Sequence, residues 1–146
     1  MSGKGAPPLY THDLLALAVE LAGVPLLRTL PLAATARSRT CGSSLTLELS
    51  LEGENRVEKI GLAVTACAVG QAAAAIFARH ARGMPSSRLA DMPDDLARWL
   101  AGDGPRPDWP DLALLDAAAA HPGRHQAMQL PWIAARDALS KAETGR

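Results

Sequence analysis

An α+β fold is predicted by three observations in this 146-residue chain: a helical period near the start, a stretch of strict alternation in the middle, and a succession of alanine- and leucine-rich helical periods after it. Three Trp, one Tyr and one Phe are few, so the core is expected to consist mainly of aliphatic contacts between helices. The length suits one domain of roughly 100 to 200 residues. Residues 1–146 are read as that domain, with 1–8 as a flexible, proline-containing leader.

Thr11 can cap a first helix, in which Leu14, Leu17, Ala18 and Leu21 recur at i, i+3, i+4 and i+7 before Gly23 and Pro25 close it. From Arg37 the period changes to two. Leu45, Leu47, Leu49 and Leu51 alternate with Ser44, Thr46, Glu48 and Ser50, the pattern of a strand with one buried face. Gly53-Glu54-Asn55 supplies a turn, and a second strand through 57–64 puts Ile60, Leu62 and Val64 toward the core, completing a hairpin.

Cys67 lies just past that strand and opens an alanine-rich helix with Val69, Ala73, Ile76, Phe77 and His80 on one stripe, ending at Gly83 before Pro85. Asp91 and Pro93 read as the start of another helix carrying Leu96, Trp99 and Leu100. Residues 102–110 form a Pro/Gly loop. A helix from Asp111 to about Ala120, broken at His121-Pro122, and a last one from near Arg124 to about Lys141 follow, the latter aligning Met128, Trp132, Ala135 and Leu139 and carrying Pro131 as a kink.

Charge is balanced, 15 basic residues against 15 acidic, with no block of one sign, so nucleic acid and anionic membrane are not expected partners. No apolar run approaches the roughly 20 residues of a membrane span, and no signal core opens the chain, so the expected location is cytoplasmic. Two cysteines in such a chain read as reduced thiols rather than a disulfide framework. A thiol at the first turn of a helix is favoured as a thiolate by unpaired backbone N–H groups, which makes Cys67, with Cys41, the candidate chemical group. A packed, inert thiol is the plainer alternative for each.

Three segments together resemble a known family. Arg39-Thr40-Cys41-Gly42 is similar to the first cysteine segment, Cys-Gly-Asp, of the NifU amino-terminal, IscU and SufU group of iron–sulfur cluster scaffolds. Ala66-Cys67-Ala68-Val69-Gly70-Gln71-Ala72 resembles that group's Gly-Cys-x-Ile-Ser-x-Ala helix start, and residues 121–132 resemble its x-Pro-x-Arg-x-x-Cys-x-x-Leu-x-Trp segment. The likeness runs from about Leu9 to Ala138. It departs at three places: Ser43 stands for the aspartate, Ala127 for the third cysteine, and Gln126 for a neighbouring His or Lys.

The resemblance implies a three-stranded antiparallel sheet against about five helices, the added strand preceding Cys41 near Thr35 to Thr40. It implies cluster assembly, with Cys41 and Cys67 binding iron or sulfur, and with a cysteine desulfurase and apo iron–sulfur acceptor proteins as partners. The protein would be a scaffold or carrier, not a turnover enzyme. Because a cluster or a structural zinc ordinarily takes about four protein ligands, two thiols fall short in one subunit. A homodimer could pool them around a bridging cluster or Zn, or His121 or His125 could supply imidazole. A sulfurtransferase-like relay needs no metal: Cys41 accepts a persulfide and Cys67 resolves it. His80, Arg124 and the three tryptophans read as structural. A degenerate family member kept for protein binding is the third reading.

Overall fold

The computed structural model describes residues 12–39 and 42–144; Thr11 and the leader lie outside them. The leucine alternation builds the centre of a sheet: Leu45, Leu47 and Leu49 of β2 (Ser44–Glu52) are all buried on one face. The chain turns through Gly53 and Asn55, whose φ values of 52° and 63° suit the tight reversal into β3 (Arg56–Thr65). A shift in register between Ser50 and Leu51 reverses the phase of the pleat, which is why Val57 and Ile60, three apart, are both buried.

The remaining strand, β1 (Leu32–Arg37), pairs antiparallel with the other edge of β2, giving the order β1-β2-β3. It lies about three residues earlier than the expected Thr35 to Thr40. Its buried face holds Ala34 and Ala36, so there is no alternation of large side chains to reveal it. Those small residues let the last helix lie close across the sheet.

The second face of β2 is not solvated as expected: Glu48 is 3% exposed and Ser50 is 9% exposed. Residues 24–31 cross that face. Leu62 N–H donates to the Val24 carbonyl at 3.0 Å, and the chain then passes over β2 to reach β1. On the way Leu27, Arg28 and Leu30 donate their backbone N–H groups to the Glu48 carboxylate, at 2.8 Å from Arg28 and 3.2 Å from Leu30. Burial pushes this carboxyl up, but the N–H groups of Arg28, Leu27, Leu30 and Thr29 outweigh it and hold it below the usual range. Gly61 lies opposite because a Cβ there would come 2.6 Å from Glu48 Oε2 and 2.9 Å from the Pro25 carbonyl.

Five α-helices accompany the sheet among the described residues. α1 (His12–Glu20) buries Leu14 and Leu17 against α2 (Ala68–Ala81). α2 does not show the expected single stripe: Val69, Gly70 and all of residues 72–78 are buried, since α1, the last helix, β3 and residues 112–115 surround it. Alanine suits that position, as it permits close approach from every side. His80 leaves the core stripe and sits partly exposed, its Nε2 2.6 Å from Asp111.

α3 (Ser86–Leu100) begins five residues before the expected Asp91. Ser86 N–H donates to Asn55 O at 2.8 Å and Val57 N–H to Met84 O at 3.0 Å, so the hairpin pins the helix start. Pro93 lies buried inside α3, forgoing the bond that Leu89 would have accepted. The expected helix from Asp111 to Ala120 is instead a 3₁₀ turn, Leu112–Leu115, and a single-turn helix, α4 (Asp116–Ala119). Asp111 precedes them at φ 67°, a left-handed conformation from which no helix propagates. A second 3₁₀ turn, Pro122–Arg124, leads into α5 (His125–Thr144), which runs unbroken through Pro131 and packs on β1, β2, α2 and α3. No described helix is long and apolar enough to cross a membrane.

Candidate functional site

The strand register decides where the two cysteines leave the sheet. Arg37 pairs with Ser44 and Ser44 with Thr65, so the β1–β2 connection and the β3–α2 junction emerge at the same end. Cys41 falls outside the described residues, between Arg39 and Gly42. The connection is closed by Ser38 N–H donating to Ser43 O at 2.8 Å, and Gly42 takes φ 71°.

Cys67 caps α2; the helix itself begins one residue later, at Ala68. The free thiol is partly exposed, rests in part on the core, and makes no capping hydrogen bond. Its backbone carbonyl accepts Gln71 N–H at 3.0 Å, while Gln71 Nε2 donates to Ala66 O at 2.8 Å. These two bonds fix the turn that presents the sulfur.

The start of α5 completes the site. Gln126 Oε1 accepts the Arg39 N–H at 2.7 Å and the Ser38 hydroxyl at 3.1 Å, tying α5 to the connection that carries Cys41. Ala127 is fully buried against α2: a Cβ built on Gly70, three residues past Cys67, would lie 3.4 Å from the Ala127 Cβ. The described residues of all three segments that carry the sequence resemblance therefore meet at one end of the sheet. Ser43, at the aspartate position, is buried.

Among the described residues the histidines form no three-membered ligand group with Cys67. His125 Nε2 lies 2.8 Å from Ala119 O, and since a carbonyl only accepts, that nitrogen carries the proton. His121 is partly exposed ahead of Pro122, its carbonyl accepting Arg124 N–H at 2.9 Å. Among the described residues no three His, Cys, Asp or Glu side chains are grouped so as to hold a metal. With Ala127 contributing no donor, the described residues by themselves do not make a four-ligand centre. Arg37, Arg39 and Arg124 have no acidic partner among the described residues, so this end is locally electropositive. The sequence reading missed the tethering role of Gln126, which becomes visible only once Ser38 and Arg39, far away in sequence, lie beside it.

The sequence matches no protein-family model and no curated protein. Solved structures do match. The amino-terminal NifU-like protein of Brucella abortus superposes with a TM-score of 0.85 at 26% identity, covering 94% of this chain and 96% of that one. The chain resembles a NifU-like protein over nearly its whole length. A second structure, the SufU iron–sulfur cluster assembly scaffold protein of Fervidobacterium islandicum, shares the NifU-like fold at TM-score 0.77 and 15% identity, over 90% of this chain and 96% of that one. A hypothetical protein shares it at TM-score 0.63 and 18% identity, over 90% of this chain and 99% of that one.

Proposed function

We propose that this NifU-like chain acts as one scaffold-like domain in iron–sulfur cluster assembly, holding sulfur or iron on Cys41 and Cys67 between a cysteine desulfurase and apo acceptor proteins. The observation that carries this reading is the end-to-end match to the Brucella NifU-like protein, combined with a register that brings the flanks of both cysteines to one end. Iron and sulfide are cargo in this reading.

One structural fact favours sulfur handling over metal storage. Ala127 fills the third-cysteine position with a buried methyl group, and among the described residues no group of three ligand side chains takes its place. Two thiols suffice for sulfur transfer. The Cys41 thiolate attacks the terminal sulfur of a donor persulfide, a new S–S bond forms on Cys41, and the donor thiolate departs, with no net oxidation. A cluster bridging two copies would instead draw two thiolates from each.

Anaerobic incubation with iron and sulfide, and separately with a desulfurase and cysteine, tests both forms. A stoichiometric chromophore lost in Cys41→Ser and Cys67→Ser is the scaffold outcome. Persulfide on Cys41 without a chromophore is the relay outcome. Absence of both signals in the intact protein refutes the function.

A further inference from the structure

Two features beside the thiols have no part in that chemistry: an open sheet edge and a pair of arginines without acidic partners. Because Ser38 N–H bonds Ser43 O, the alternation of an antiparallel ladder puts Ala36, Ala34 and Leu32 in the bonded pairs with β2. The N–H and C=O groups of Ala33, Thr35 and Arg37 then point away from the sheet. Ala33 shows it directly, since its carbonyl accepts Lys141 Nζ at 2.7 Å. The outward backbone groups of Thr35 and Arg37 have no partner among the described residues.

A cleft of about 270 Å³ lies alongside, lined by Arg37, Arg39, Gln126, Gln129, Leu130 and Ile133. One wall is apolar, from Leu130 and Ile133 of α5. The rest holds two glutamines, of which Gln129 Nε2 already donates to His125 O at 3.0 Å, and Arg37 and Arg39, both exposed and rich in donors.

We propose that this edge and cleft dock an extended acidic segment of a partner protein, which adds to β1 as a fourth strand. Successive side chains of a strand face opposite ways, so a segment alternating acidic and apolar residues sets carboxylates on the Arg37 side and apolar groups on the Ala36 side, against Leu130 and Ile133. A simple anion would leave the apolar wall unused. A second copy pairing through β1 would gather Arg37 and Arg39 of both chains along one seam with no acidic partner supplied, which charge repulsion opposes. Arg39 is two residues from Cys41, so the segment would hold its owner beside the thiol. That purpose rests on the function proposed above; the docking itself does not.

The test is fluorescence anisotropy of the full chain with a labelled peptide of alternating Glu and Val, against one of alternating Lys and Val. The acidic peptide alone binds, more weakly as salt rises, and R37E/R39E weakens it by about tenfold or more while R82E leaves it unchanged. Thr35→Pro, which removes one outward N–H and keeps the backbone bonds to β2 while losing the 2.8 Å hydroxyl contact with Thr46, also weakens it beyond a Thr35→Val control, provided circular dichroism shows both folds intact. Equal binding of both peptides, or binding unaffected by R37E/R39E, overturns the proposal. So does light scattering showing a dimer that R37E/R39E dissociates, since the edge would then belong to a second copy. Peptide binding without thiol loading would retain the docking surface and remove the function; loading without peptide binding would do the reverse.

Discussion

Gly70 carries a constraint that its alanine neighbours in α2 do not. A methyl group there would lie 2.7 Å from the Ala66 Cβ, just ahead of Cys67, and 3.4 Å from the Ala127 Cβ on α5. Alanine is the better helix former by about 1 kcal/mol, yet overpacking a filled contact costs about 1–3 kcal/mol. Gly70→Ala is therefore expected to destabilise the chain, with a lower thermal midpoint, while Ala74→Gly in the same helix destabilises it for the opposite reason, a lost methyl contact. Equal or higher stability of Gly70→Ala in a melting experiment would show that Ala66 can move aside. The same contact explains why Ala127 is tolerated at a position where the family resemblance leads one to expect cysteine: it seals α5 onto α2. Cys67 itself was legible from its place between a strand and an alanine run. Gln126 was legible only as a departure, because its oxygen serves Ser38 and Arg39, partners nearly ninety positions away.

The connection between α1 and β1 is held by one side chain. Glu48 collects backbone N–H groups from residues 27–30, and replacing it with Gln keeps the shape but turns one acceptor into a donor facing donors. An unsatisfied buried donor costs about 1–3 kcal/mol, so Glu48→Gln should lose that much stability at pH 7. The pH dependence follows from the direction of the shift. The folded carboxyl titrates below its ordinary 4.5, so its contribution is complete above that value and is lost as pH falls through the lower folded pKa. Denaturant titrations from pH 7 to pH 3 should therefore show wild type and Glu48→Gln converging toward acid; a constant gap would exclude the carboxylate as the clamp. At this scale the sequence was uneven. The β2–β3 hairpin was plain because leucines mark one face, whereas β1 was displaced because alanines mark its own. The start of α3 was hidden, since Asp91 and Pro93 read as its opening, and only the contact of Ser86 with Asn55 in the hairpin turn fixes the boundary. The Leu-Ala-Leu-Leu run at 112–115 looks helical in isolation, but Asp111 enters it from a left-handed conformation.

Across the molecule, ion pairs gather away from the thiol end. Arg79 pairs with Glu20 of α1 and, at 2.8 Å, with Asp111, which also meets His80 at 2.6 Å. Hydrogen bonds from His80 and then Arg79 hold the Asp111 carboxyl below its usual range, so this link is present near neutrality and is lost as pH falls through the folded pKa. Arg79 and Asp111 are each more than a third exposed, and Asp111→Asn, which still tolerates positive φ, should cost no more than about 1 kcal/mol. Its thermal midpoint should approach that of the wild type in high salt; a large, salt-independent loss would point to packing instead. The whole architecture was legible through the three separated motifs, which fixed the order of elements better than any single period did. Deeper in the protein, Phe77, Trp109 and Trp132 form one aromatic knot, with Trp109 parallel to Phe77 at 6.0 Å and perpendicular to Trp132 at 5.5 Å. Trp109 Nε1 donates to Ile76 O at 3.3 Å, so the knot ties α2, the proline-rich loop and α5 at a single point. Two indoles coupled at that spacing and shielded from water give the folded chain an ultraviolet signature of its own, one that reports the closure of its helical layer independently of whatever the cysteines carry.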